Sequence, residues 1–500
     1  MDSEDDPILS SVEFNRRGVK IWQHFTWRLG LAMFTCVIGS SFLFGYSTGV
    51  VNSPQHEIEQ FLNQTHYNRT GSYFSETEVT VLWSWIVSIW CIGGMLGGVS
   101  GGFFSNKFGS KGAMTWNNLI MVIGTVLMCF SKKAASYEML IAGRFVIGIA
   151  CGIATVVAPT YLSEVAPVAL RGLSGTLNQF AVVVAILISQ VLGLHNILGT
   201  EETWPYLFGI PIITGAIQLI LFLVCPESPR HLLLTLGERE KAQEALTWLR
   251  GSSIIQDEVE EMLQEQEVLN SQPRVKVLDL FRDESLRQPL AISVVMMLSQ
   301  QLSGINAVVY YSTTIFRGAG LSYEAAQYST LGIGGVLVVM TFISAILVDQ
   351  MGRRSLHLAG LSGMWLFGIV LTAAFTLEPK LHFMAYVSVI SILAFVISFA
   401  VGPGSIPWFY VAELFNQGPR ATAMSIAVLV NWLANFAVGQ LYPTIQKSIH
   451  SYSFLPFVGF LTIFVIYTWC KVPETKGRTI EDITADFKPG RHAQYDTFSA

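Results

Sequence analysis

Charge is scarce in this chain of 500 residues. Lys, Arg, Asp and Glu make up 13% of it, where a soluble domain carries about 25%. Hydrophobic residues make up 51%. A water-soluble fold of that composition would expose large apolar patches. An enzyme with one ordinary core is excluded, and so is a disordered chain. The net charge of -5, with no basic patch to offset it, speaks against nucleic acid as a partner. Cysteine is sparse too. Cys36, Cys91, Cys129, Cys151, Cys225 and Cys470 form no CxxC pair, so neither a disulfide framework nor a zinc site is expected, and they read as small buried hydrophobes. No cleavable leader is expected, because Met1 to Ser11 is acidic and polar. There is no nucleophile–base set, phosphate loop or metal cluster, so neither catalysis nor a cofactor is expected.

What remains is a polytopic helical membrane protein. A crossing needs roughly 20 apolar residues. Twelve runs qualify, near 29–51, 81–101, 113–130, 138–160, 173–194, 205–224, 290–315, 327–348, 355–376, 383–408, 421–442 and 453–470. The expected fold is all-α, twelve transmembrane helices in two pseudo-symmetric six-helix bundles. The expected division is an N-terminus (1–28), a first bundle (29–224), a charged linker (225–288), a second bundle (289–471) and a tail (472–500). The linker has apolar residues at helical spacing, Ala242, Leu246 and Leu249 among them, and reads as amphipathic helices in water. An even number of crossings puts both ends on one side. If that side is the cytoplasm, the outside and its edge hold only Arg69, Lys132, Lys133, Arg144, Arg317, Lys380 and Lys447 of the 30 cations. The sequons at Asn63 and Asn68 then fall in the first outer loop, where glycosylation is possible.

The halves echo each other. "NKFGSKG" from Asn106 returns as "DQMGRRS" from Asp349. "SEVAPVALRG" carries Glu164 and Arg171, and "AELFNQGPRA" carries Glu413 and Arg420 at the same spacing. "PESPR" returns as "PETKGR". The offsets are 243, 249 and 247 residues, in one order. Two homologous bundles that rock about a central site are expected. Glu164, Arg171, Arg353, Arg354, Glu413 and Arg420 all sit at cytoplasmic helix ends. They are expected to form an ion-pair belt that closes the inner side when the outer side is open.

The strings "GRFVIGIACG" (143–152), "PESPR" (226–230), "QQLSGINAVVYYSTTIF" (300–316), "DQMGRR" (349–354), "GPGSIPWF" (402–409), "NW" (431–432) and "VPETKGRT" (472–479) run from end to end of the chain. Through them the chain resembles the sugar porter family of the major facilitator superfamily, and within it the animal facilitative glucose transporters, with the glucose-preferring class nearest. The resemblance implies a plasma-membrane carrier for hexose, D-glucose first, working by alternating access. A sugar hydroxyl both donates and accepts, as a neutral amide does, and aromatic rings suit the apolar pyranose faces. The residues matching the family's site are Gln179 on the fifth run, Gln300, Gln301 and Asn306 on the seventh, Trp408 on the tenth and Asn431 on the eleventh. Trp432 and Asn435 are further candidates. Interhelical packing is the bland alternative for each. Tyr310 and Tyr311 resemble the family's outer gate. Gly402, Pro403, Gly404 and Pro407 interrupt the tenth run and make a natural hinge. Binding should be millimolar, about 4 kcal/mol, so that cargo is released.

Some positions depart from the family pattern. Leu337 stands where relatives carry Asn, Ala400 where they carry an acid, Met297 where the glucose-preferring class reads Gln, and Ser110 where Arg is usual. Selectivity could therefore extend to fructose, galactose or mannose. Proton-coupled relatives carry Asp in an "FGYD" string; here it is "FGYS", and Ser47 cannot titrate. An intramembrane carboxylate is the usual proton carrier, so energy-independent uniport is expected. Proton symport through another carboxylate and a non-transporting sugar sensor are the rivals.

Overall fold

The computed structural model describes residues 25–271, 275–478 and 480–487. Arg16, Arg17, Lys20 and the ends of the expected cytoplasmic termini lie outside the described residues. The first half opens with α1 (Trp27–Gly39) and α2 (Ser41–Gly49), two pieces of one crossing. Thr26 starts it, its hydroxyl accepting from Leu29 N at 3.1 Å. The polar α3 (Gln55–Thr70) follows and stops at Gly71, whose φ of 77° suits only a residue without Cβ. Ser75 and Glu78 form a reciprocal cap that starts α4 (Glu76–Phe130). At 55 residues α4 is too long for a single crossing. It holds two, joined at Gly109, where the backbone leaves helical geometry (φ 77°, ψ 167°). Next come α5 (Tyr137–Val165), α6 (Arg171–Leu192), and α7 (Trp204–Leu207) with α8 (Ile210–Phe222), which share a crossing.

The linker carries α9 (Arg239–Arg250), α10 (Gln256–Ser271) and α11 (Val277–Arg282). Ala242, Leu246 and Leu249 are all fully buried. The linker docks on the first half where Arg250 Nη1 donates to Val165 O at 2.8 Å and Thr26 Oγ1 donates to Leu249 O at 2.5 Å, and within the linker Arg230 pairs with Glu265 at 2.5 Å. Its far end meets the second half, where Thr422 Oγ1 donates to Val275 O at 3.2 Å.

The second half repeats the plan. α12 (Glu284–Gln301) and α13 (Ile305–Gly318) share a crossing broken at Gly304. Then come α14 (Tyr323–Met351) and α15 (Arg353–Leu377), followed by α16 (Met384–Val401) with α17 (Ile406–Glu413), again a broken crossing. α18 (Gln417–Ile449), the shorter apolar α19 (Leu455–Lys471) and a final α20 (Ile480–Ala485) complete the chain. Among the described residues the crossings number twelve, in two six-helix bundles. Large apolar side chains such as Val99, Leu223, Tyr386 and Ile390 stay exposed on the bundle surface. Lipid can cover them, because helices satisfy their own backbone groups.

Close helix packing explains the glycines of the first half. A Cβ on Gly93 would stand 2.1 Å from Phe145 O, on Gly97 2.1 Å from Ile149 O, on Gly148 2.1 Å from Trp90 O and on Gly152 2.2 Å from Gly94 O. α4 and α5 thus touch backbone to backbone along a stripe of small residues.

The halves meet at mid-height and at the end that carries α3. Asn52 Nδ2 donates to Val309 O and to Ser312 Oγ, both at 2.7 Å, and its Oδ1 accepts from Thr313 N at 3.2 Å. Thr314 bonds Gln55 at 2.9 Å, Lys447 Nζ bonds Glu76 O at 2.8 Å and Ser88 bonds Gln440 at 2.7 Å. Trp432 of the second half packs edge-on against Trp90 of the first (5.1 Å between ring centres) and covers Gly94.

Candidate functional site

Two broken crossings build the site. Gly304 takes φ 94°, a left-handed geometry that side chains resist. The break turns Asn306 back so that its Nδ2 donates to Gln301 Oε1, one turn earlier in the chain. The second break follows from Pro407. In an intact helix the Pro403 carbonyl would accept from residue 407, but proline has no N–H. Trp408 N, the natural donor to Gly404 O, goes to Ser405 O at 3.2 Å instead. Both carbonyls are orphaned, and Gln300 Nε2 serves them at 2.9 and 2.7 Å. The backbone at Gly402 (φ -121°, ψ -84°) is where helicity is lost.

The amides then close on one another. Asn431 Nδ2 donates to Gln300 Oε1 at 2.8 Å, while Gln301 Nε2 donates to Asn431 Oδ1 at 3.0 Å and to Gln300 Oε1 at 3.2 Å. Gln300, Gln301, Asn306 and Asn431 are all buried. Four of the six expected residues are therefore brought into one hydrogen-bonded group. The other two are not joined to it. Gln179 is half-buried on α6 and hydrogen-bonds to none of the four; its neighbour Asn178 accepts from Ser41 Oγ at 2.6 Å. Trp408 is half-buried and packs on the apolar cluster around Tyr410 and Leu414. Tyr310 OH donates to Asn435 Oδ1 at 2.8 Å and Tyr311 OH to Gly439 O at 2.7 Å, so both tyrosines tie α13 to α18.

Arg144 is fully buried, deeper than its assignment to the outer edge suggests. Its guanidinium donates to Ser47 O at 3.0 Å, Ile86 O at 3.1 Å and Val87 O at 3.3 Å, and lies 5.6 Å from the centre of the Trp90 ring. Backbone dipoles and an aromatic face stand where a carboxylate partner would otherwise be needed. Among the described residues Glu57, at the α3 end, is the one acidic side chain that is fully buried.

With this geometry in hand, the comparisons with known proteins decide the family. The family model "Sugar (and other) transporter" matches residues 32–487. The chain is 46% identical over 470 residues to the human "Solute carrier family 2, facilitated glucose transporter member 3", covering 94% of each. The chain belongs to the sugar transporter family. In structure this sugar transporter is similar to the inward-open conformation of the xylose transporter XylE from E. coli (TM-score 0.77, 25% identity, 92% of this chain and 100% of that one). It is also similar to the proton:xylose symporter XylE of the major facilitator superfamily bound to 6-bromo-6-deoxy-D-glucose (TM-score 0.75, 25% identity, 92% and 99%). The transporter has the major facilitator fold.

At the linker end of the transporter, the charged residues pair within their own halves. Arg353 Nε meets Glu413 Oε1 at 3.2 Å, and Glu413 Oε2 accepts from Thr475 Oγ1 at 2.5 Å. In the first half Glu164 Oε2 accepts from Ser110 Oγ at 3.0 Å, so a neutral hydroxyl takes the place that Arg353 fills in the second. Arg354 bonds Trp469 O at 2.6 Å and Arg420 bonds Phe415 O at 3.1 and 3.2 Å. Arg171 Nε is buried without a partner. The six residues thus form no single belt in this conformation.

Two acidic residues went unassigned in the sequence reading. Glu227 accepts from Lys111 N at 2.9 Å and Gly112 N at 3.1 Å. Glu474 accepts from Arg353 N at 2.8 Å, Arg354 N at 3.1 Å and Ser355 N at 3.4 Å. Each caps the helical turn that follows a left-handed glycine, Gly109 or Gly352, and so binds the last crossing of its half to the third. The repeated "PES" and "PET" strings were the available signal. On α3, Asn68 is exposed, whereas Asn63 is half-buried with its Oδ1 enclosed and unpartnered.

Proposed function

We propose that this protein carries hexose, D-glucose first, across the plasma membrane as a uniporter, with both termini cytoplasmic, the α3 end outside and the linker inside. The observation that carries the reading is the buried cluster of four neutral amides beside the two broken helices of the second half. In the empty carrier these amides satisfy one another. A sugar exchanges those bonds for its own hydroxyls at little net cost, which suits weak binding and release. The contacts between the halves at the α3 end support reading this conformation as inward-facing. Arg144 rests on carbonyls and Ser47 has no proton to carry, which favours uniport over symport. The departures at Leu337, Ala400 and Met297 leave room for other hexoses.

Counterflow in proteoliposomes tests this. Preloaded vesicles should accumulate labelled D-glucose transiently, L-glucose should not accumulate, and an imposed pH gradient should leave the rate unchanged. Proton uptake with sugar would overturn uniport, and absence of any hexose counterflow would overturn the carrier. A parallel fructose arm measures selectivity.

The inner charges complete the cycle in this reading. When the inner side closes, Glu164, which accepts from the Ser110 hydroxyl within its own half, meets the second half's Arg420. Such wet pairs are worth about 0–1 kcal/mol each, weak enough to break every turn. Arg420→Glu should shift the inward/outward ratio toward inward by up to about fivefold, read by spin-label distances across the inner ends. An unchanged distance distribution would remove the belt.

A further inference from the structure

His357 is fully buried on the second turn of α15. Its Nε2 lies 3.1 Å from Ser299 Oγ on α12. The Ser299 hydroxyl has a single proton, and that proton is directed to Met296 O at 2.7 Å. With that proton on Met296 O, the bond to the imidazole runs the other way, Nε2–H donating to the serine oxygen. Nδ1 is then a bare acceptor, and it is buried without a partner. The ring acts as one directed donor.

The direction matters because of what adjoins each end of that bond. Ser299 precedes Gln300, whose amide serves the orphaned carbonyls of Pro403 and Gly404. The turn of α15 that carries His357 is pressed against the same break. A Cβ on Gly402 would stand 2.5 Å from Leu356 O and 3.0 Å from His357 Cα, and one on Gly360 would stand 2.6 Å from Pro403 Cδ. So α15 touches the break through backbone and holds α12 through one hydrogen bond. Rotating α12 about its axis would carry Gln300 away from both carbonyls, and the His357–Ser299 bond opposes that rotation.

We propose that His357 is a positioning residue for the sugar site, fixing through Ser299 the register in which Gln300 meets the broken helix and the sugar. This rests on the reading that the amide cluster binds sugar. The alternative is a buried polar pair that only stabilises the fold.

The test compares His357→Leu, His357→Gln, Gln300→Ala and the double variant His357→Leu/Gln300→Ala in D-glucose exchange, with melting curves of the purified proteins. His357→Leu should raise KM about three- to tenfold, the size of one lost hydrogen bond, with turnover changed less than twofold. His357→Gln keeps an amide N–H at about the same reach and should restore most of the KM. In the Gln300→Ala background, His357→Leu should raise KM no further, because the group it positions is gone. KM effects that multiply in the double variant, or a His357→Gln variant as impaired as His357→Leu, would overturn the positioning role. So would a lowered melting temperature with KM unchanged. If Gln300→Ala itself leaves KM unchanged, the reading of the amide cluster falls, and the positioning role with it.

Discussion

Gly148→Leu should yield no monodisperse protein after detergent extraction. A Cβ at this position already falls 2.1 Å from Trp90 O, and the contact is with backbone, so no side chain can swing aside. α4 and α5 must separate, and the neighbouring contacts at Gly93, Gly97 and Gly152 open with them. Overpacking of a core commonly costs 1–3 kcal/mol, on the order of a fifth of a domain's stability. A clash of backbones that unzips a whole stripe should exceed that. Size-exclusion profiles and melting curves are the readout, with Gly148→Ala expected to sit between wild type and Leu. A normal peak with an unshifted melting temperature for the leucine variant would mean that the helices are not packed as described.

Gln301→Leu should raise the KM for D-glucose about tenfold while the protein still folds. Gln301 is the node of the amide group, receiving from Asn306 and donating to Gln300 and Asn431. Leucine keeps the volume and removes every one of these bonds. The Asn306 amide is then left unmatched in a buried place, which costs the fold about 1–3 kcal/mol and should lower the melting temperature. Loss of the direct sugar contact costs binding up to about 1.5 kcal/mol. Each 1.4 kcal/mol is tenfold in affinity. Exchange kinetics on protein matched for size-exclusion behaviour decide it, and a KM within twofold of wild type would remove the cluster from the site.

Most of the architecture was legible from composition, because a crossing announces itself by length and apolarity. The two runs around "NKFGSKG" are separate crossings for that reason, although the helix barely pauses between them. The amides of the seventh and eleventh runs could be named from their residue type and the family strings. What a single sequence does not carry is the direction a side chain takes from its helix. Gln179 and Asn178 are neighbours with equal chemistry. Only packing sends Asn178 to Ser41 and leaves Gln179 apart from the cluster. Glu227 and Glu474 escaped for a different reason. Their partners are backbone N–H groups, which every residue but proline possesses, so no pairing pattern marks them. His357 sits alone in an apolar run and reads as filler until its hydroxyl partner is seen.

The linker sets a limit on how far the bundles can travel. It is fastened to the first half as late as Arg250, through Val165, and to the second as early as Val275, through Thr422. The 25 residues from Arg250 to Val275 reach about 85 Å when drawn straight, and far less while α10 stays helical. Such a leash gives the machine a maximum stroke, so that shortening it should stall the carrier part-way without touching any group that holds the cargo.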